Sequence, residues 1–93
     1  MENLATLYLV DNRGNTKGRG MICPLEHIDT YEKLASTLTL LFPEDAARAG
    51  DLKFQVMTND RLVIHQQFWD EVAAVCTPKV FYCDFNEPEK ISC

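Results

Sequence analysis

The sequence predicts an α+β domain, a mixed sheet of four or five strands with one long helix across one face. Three observations lead there. Residues 29–42 place Tyr31, Leu34, Ala35, Leu38, Leu41 and Phe42 on one face at helical spacing. Segments on both sides of this helix alternate apolar and polar residues, as half-buried strands do. Finally, 93 residues with 46% hydrophobic and 25% charged content make one soluble globular domain, too small for a core plus a deep enclosed cleft.

The helix has marked ends. Asp29 and Glu32 have the spacing of a capping box, Ile28 stands before them as a hydrophobic staple, and Pro43 drives Phe42 out of helical geometry. The outer face carries Glu32, Lys33, Ser36, Thr37 and Thr39. One apolar stripe over about four turns is marginal alone in water, so the flanking strands must cover it.

Taken in order, residues 4–10 form a first strand with Ala5, Leu7 and Leu9 on one face and Thr6, Tyr8 and Val10 on the other. A turn-rich connection follows, and residues 20–25 make the second strand of a hairpin, ended by Pro24. Beyond the long helix, residues 43–50 supply one or two further helical turns, with Pro43 first and Gly50 last. Strands at 52–57 and 62–64 flank a turn at Thr58-Asn59-Asp60, and residues 66–75 form a short helix with Trp69 as a core plug. The last strand spans 80–85, with Phe81, Cys83 and Phe85 inward. The domain is therefore expected over 1–85, with 86–93 as a flexible C-terminal tail.

This order of elements resembles the β-grasp of ubiquitin-like folds, with the first and last strands central and adjacent. Gly18-Arg19-Gly20 followed by Pro24, Asp29-Thr30-Tyr31 opening the helix, Asn59-Asp60-Arg61-Leu62-Val63-Ile64 and Trp69-Asp70-Glu71-Val72 resemble the ubiquitin-like domain found in many fungal proteins. That resemblance implies a non-catalytic protein-interaction module. The sequence ends Lys90-Ile91-Ser92-Cys93 without Gly-Gly, so conjugation through the carboxyl end is not expected. A second resemblance is to the Phox-and-Bem type of β-grasp, whose copies pair head to tail; the acidic cluster expected after the third strand is reduced here to Asp60.

The partner-binding set expected from alternation is Tyr8, Val10, Val80 and Tyr82 on the sheet face opposite the helix, edged by Lys53, Gln55 and Met57. Arg13, Lys17 and Arg19, three of nine basic residues in a chain of net charge -5, add a small positive edge that suits an acidic partner. The same net charge argues against a general nucleic-acid binder, and no segment has the length of a membrane span. The expected partner is another protein, with self-association through exposed strand edges left open.

No cofactor, metal or catalytic site is expected. Cys23, His27, Cys76 and Cys83 lack paired zinc-knuckle spacing, and neither Cys23 nor Cys76 has a marked orienting group beside His65. Gly14, Gly18 and Gly20 are not followed directly by a helix, as a phosphate loop requires. The residues at Met1–Val10 carry no secretory signal, so the thiols are read as reduced and the compartment as intracellular, cytoplasmic or nuclear. An alternative reading is a small acidic inhibitor or decoy that presents Glu44, Asp45, Asp51, Asp70 and Glu71 to a basic target surface.

Overall fold

The computed structural model describes residues 3–11, 13–48 and 54–85. It contains strands β1 (Leu4–Val10), β2 (Thr16–Pro24), β3 (Gln55–Met57), β4 (Val63–Ile64) and β5 (Val80–Asp84). They form one mixed sheet in the order β2-β1-β5-β3-β4. Helices α1 (Tyr31–Leu41) and α2 (Pro43–Arg48) lie between β2 and β3 in sequence, and α3 (Trp69–Val75) lies between β4 and β5. The first and last strands pair in parallel from Thr6↔Val80 to Leu9↔Cys83, and the other pairings are antiparallel.

Alternation along the strands turns Ala5, Leu7, Leu9, Val56, Phe81 and Cys83 inward, where they join Leu34, Leu38 and Phe42 in the core. The helix is shorter than its periodicity predicts, eleven residues and three turns. Thr30, not Asp29, is its N-cap: the Thr30 backbone is extended, and Lys33 N–H donates to its Oγ1 at 3.2 Å. Asp29 instead pairs with Lys33 Nζ at 3.0 Å. Ile28 is fully buried but stands two residues before the cap, reached through a 3₁₀ turn at Leu25–His27. At the other end Phe42 leaves helical geometry before Pro43, as expected.

One residue assigned to the outer helix face is not exposed. Thr37 is buried because its hydroxyl donates to the His27 carbonyl at 2.8 Å, which ties α1 to the preceding turn. Residues 49–53, including Asp51, Leu52 and Lys53, and the tail expected at 86–93 lie outside the described residues. The second strand starts earlier than predicted, at Thr16, because Gly18 and Arg19 are taken up in a bulge: Leu7 faces Met21, yet Leu9 faces Lys17.

Trp69 joins the layers. It is fully buried, its indole Nε1–H donates to the Ile28 carbonyl at 2.7 Å, and its ring meets Phe81 edge-on with centroids 5.0 Å apart. Lys79 closes the C-terminal end of α3 by donating from Nζ to the carbonyls of Ala73 and Ala74, at 2.6 and 3.0 Å. At the far end of β3 and β5, Phe54 stacks on Tyr31 at 5.3 Å and meets Phe85 at 5.8 Å, fastening the start of α1 to the sheet.

Two predictions follow from the packing. Trp69→Phe keeps most of the ring but leaves the Ile28 carbonyl without its donor, so urea denaturation should show a loss of about 1–3 kcal/mol. Burial pushes the Cys83 thiol far above its ordinary value of 9.0, so the folded chain keeps a proton that the unfolded chain releases. Stability should therefore be unaffected by this group below pH 9.0 and fall as pH rises above it. In Cys83→Ala that alkaline slope should flatten, measured by urea titrations across the pH range.

Candidate functional site

Among the described residues, the helices pack on one face of the sheet and leave the other uncovered. Register places Tyr8, Tyr82, Met57 and Val63 in one row across β1, β5, β3 and β4, with Gly20 of β2 against the Tyr8 ring and with Ile22, Thr6 and Val80 in the next row. Tyr8 and Tyr82, expected from the sequence, sit on adjacent strands and meet edge to face, with ring centroids 5.3 Å apart. Both are half-buried, as is Val80. Ile22 and Val63 are 62% and 59% exposed and carry the apolar surface toward both sides of the sheet.

Val10 departs from expectation. Alternation assigns it to this face, but it is 3% exposed and is not part of the surface. It lies at the end where the hairpin is drawn over the sheet by a hydrogen bond from Arg61 Nη1 to the Gly14 carbonyl, 2.6 Å long. The hairpin end is itself ordered by Asp11, whose carboxylate accepts the backbone N–H groups of Arg13 and Asn15, each at 2.9 Å. Those bonds hold the Asp11 carboxyl below its usual range.

The three basic residues expected at this edge have different roles. Lys17 reaches Asp45 of α2 at 3.2 Å and so fastens the hairpin to the helical layer. Arg13, beside Gly14, and Arg19, in the bulge beside Gly20, are exposed. The bond to Lys17 also splits the acidic set of the inhibitor reading: Asp45 is engaged, while Glu44, Asp70 and Glu71 are exposed on the first turns of two different helices.

Two residues of the site were not expected. Gly20 passes beneath the Tyr8 ring so closely that a Cβ there would stand 2.6 Å from a ring carbon; only glycine lets the tyrosine lie flat. Arg61 holds its guanidinium 4.0 Å from the centre of the Tyr82 ring. Its backbone is unusual. Thr58 N–H donates to Leu62 O at 2.9 Å and Arg61 N–H to Thr58 O at 2.8 Å, closing a short hairpin in which Arg61 takes φ +67°. A left-handed residue other than glycine costs about 1–2 kcal/mol, yet glycine would have no side chain to reach Tyr82. The sequence did carry signals for both: a glycine opposite Tyr8 in the hairpin, and an arginine where the turn after Thr58-Asn59-Asp60 calls for glycine.

The sheet edges are poor docking strands. In β2 the bulge at Gly18 and Arg19 and the proline at Pro24 leave four regular residues between them, and β4 has two residues.

Among the described residues, the remaining titratable groups do not share a centre. Cys23 and Cys83 are buried thiols, and burial raises the pKa of both. Cys76 is half-buried after α3, and His65 Nδ1 accepts from Gln67 N–H at 3.0 Å as the cap of the turn before α3. A shallow depression of about 550 Å³ lies beside α1, lined by Glu26, His27, Glu32, Lys33, Ser36 and Thr37. Lys33 and Thr37 are held there by the bonds that fasten α1 to the preceding turn.

Compared with family models, curated proteins and solved structures, the chain matches none. The prediction from the site concerns Gly20. Gly20→Ala should displace the Tyr8 ring and remove the edge-to-face pair, worth about 0.5–1.5 kcal/mol. Ring-current shifts of Tyr82 in NMR spectra should move toward values seen in Tyr8→Ala; unchanged shifts would mean that Gly20 does not set the ring's position.

Proposed function

We propose that the protein is a non-catalytic interaction module of β-grasp, ubiquitin-like form, and that its open sheet face binds another protein. The observation that carries this reading is the row of Tyr8, Tyr82, Met57 and Val63, with Ile22 in the adjacent row, on a face that no described helix covers. Interfaces draw most of their energy from a few aromatic and arginine anchors, and this strip has two tyrosines with an arginine stacked on one of them. The β-grasp assignment is supported by the central parallel pairing of β1 with β5 and by the helix between β2 and β3. The similarity to fungal ubiquitin-like domains belongs to the same proposal. So does an intracellular setting with reduced thiols, as does the absence of a cofactor, nucleic-acid or membrane role. No described helix is long and apolar enough to cross a membrane.

The test uses a Tyr8→Ala, Tyr82→Ala double variant beside the wild type. Proteins retained from cell extract by the wild type alone are expressed pure and titrated by calorimetry. The double variant should bind them at least about 30-fold more weakly, the size of an interface anchor of 2 kcal/mol or more. Its circular dichroism and cooperative unfolding should remain, since both tyrosines lie outside the buried core. Undiminished affinity in the folded double variant would sink the reading.

A further inference from the structure

Arg61 is held in a left-handed conformation at φ +67° with its guanidinium over the ring of Tyr82. Strained backbone of this kind persists where the surrounding structure over-determines it, and it gathers at ligand-contacting positions. Among the described residues the Gly14 carbonyl is the only acceptor within hydrogen-bond distance of the Arg61 side chain. A guanidinium has five N–H donors, so one edge is used to hold the hairpin and the exposed side chain keeps others. The contact with Tyr82 and the bond to Gly14 hold the guanidinium at two points, and a planar fork so held matches a carboxylate in two parallel hydrogen bonds.

Two more arginines stand in the chain beside residues of this surface, with Asp60 and Asp84 beside it as well. Arg13 adjoins Gly14, the residue Arg61 holds; Arg19 adjoins Gly20, the residue beneath Tyr8; and Arg61 lies on Tyr82. One guanidinium thus lies on the aromatic strip, and two more exposed arginines stand in the hairpin beside it, in a chain whose net charge is -5. Among the described residues the close ion pairs are Lys17 with Asp45 and Lys33 with Asp29; Arg61 and Arg19 are in neither, and Arg13 attracts the Asp11 carboxylate without closing an ion pair. Asp11, next to Arg13, spends one carboxylate oxygen on the backbone of its own turn.

Resting on the reading of the open face as a protein-binding surface, we propose that its partner is an acidic, apolar peptide segment of another protein. An Asp or Glu side chain of that segment is received by the guanidinium of Arg61 where it lies on Tyr82, and a neighbouring apolar side chain packs on Tyr8 and Ile22. The carboxylate takes the donors that Gly14 leaves, and Arg13 and Arg19 attract further acidic residues from the sides.

The probe is a random peptide display library panned on the wild-type protein, followed by titration of synthetic copies of the enriched peptides. The expected consensus has Asp or Glu beside an apolar residue. Arg61→Met, which keeps an apolar stem on Tyr82, should weaken binding roughly 10- to 100-fold, the range for a charged hydrogen-bonded pair. Arg61→Gly suits the left-handed backbone and so keeps the turn while removing the guanidinium; it should weaken binding equally. Replacing the peptide's acid by its amide should cost as much against the wild type and almost nothing against Arg61→Met, a coupling that a merely structural arginine does not produce.

Enriched peptides without an acid, no enrichment at all, or affinity unchanged in both Arg61 variants would overturn the inference. If such peptides still require Tyr8 and Tyr82, the open-face reading stands and only the acidic partner fails; if they are indifferent to both tyrosines, both fail. Concentration-dependent sedimentation of the protein alone, lost in Arg61→Met, would make a second copy the occupant and would also overturn it.

Discussion

The parallel pairing of β1 with β5 is the constraint on which the rest of this structure depends. Two parallel strands cannot be joined by a tight turn, and here they lie at opposite ends of the described chain, so everything between them must fit around their contact. Leu7 and Phe81 are register partners in that pair and both are fully buried. Phe81 in turn meets Trp69, and Trp69 holds the carbonyl of Ile28, so the segment before α1, the last helix and the sheet centre converge on one point. A helix of three turns is marginal by itself; its place is set by Leu34, Leu38 and Phe42 entering that core and by Thr37 gripping the turn before it.

Covering one face so thoroughly leaves the other face free to be specialised. There the chemistry is aromatic and cationic rather than aliphatic: two tyrosines in edge contact, a glycine that lets one of them lie close to β2, and an arginine over the other. The Arg61 bond to Gly14 couples two loops far apart in sequence, and the Lys17 bond to Asp45 couples the same hairpin to α2. The hairpin is thus held from both sides of the sheet. Its basic residues therefore do unlike things, Lys17 as a structural tie and Arg13 and Arg19 as exposed charges.

Strand alternation made much of this legible. It placed Leu7, Leu9, Phe81 and Cys83 inward and brought Tyr8 and Tyr82 to one face, because side-chain direction in a strand depends only on local period. Helix periodicity found α1 but overran its ends, since an apolar pattern continues through residues whose backbone has already left the helix. The competition between Asp29 and Thr30 for the cap was decided by the 3₁₀ turn before them, which a capping pattern does not encode. Val10 was misplaced because alternation says which side a residue points to and not whether that position is open to solvent.

The sequence by itself determined an α+β domain with a helix between two hairpins, an inward set of apolar residues and a tyrosine face, all of which follow from periodicity within single segments. Only the tertiary structure decided that Arg61 lies on Tyr82, that Gly20 lies beneath Tyr8, that Thr37 is buried and Val10 covered, and that Lys17 is tied to Asp45. Each of these joins residues from different elements, and such contacts depend on strand register, on the bulge at Gly18 and Arg19 and on the left-handed turn at Arg61. Register and bulge shift whole rows of side chains by a residue or two, a displacement that leaves the pattern within each segment unchanged.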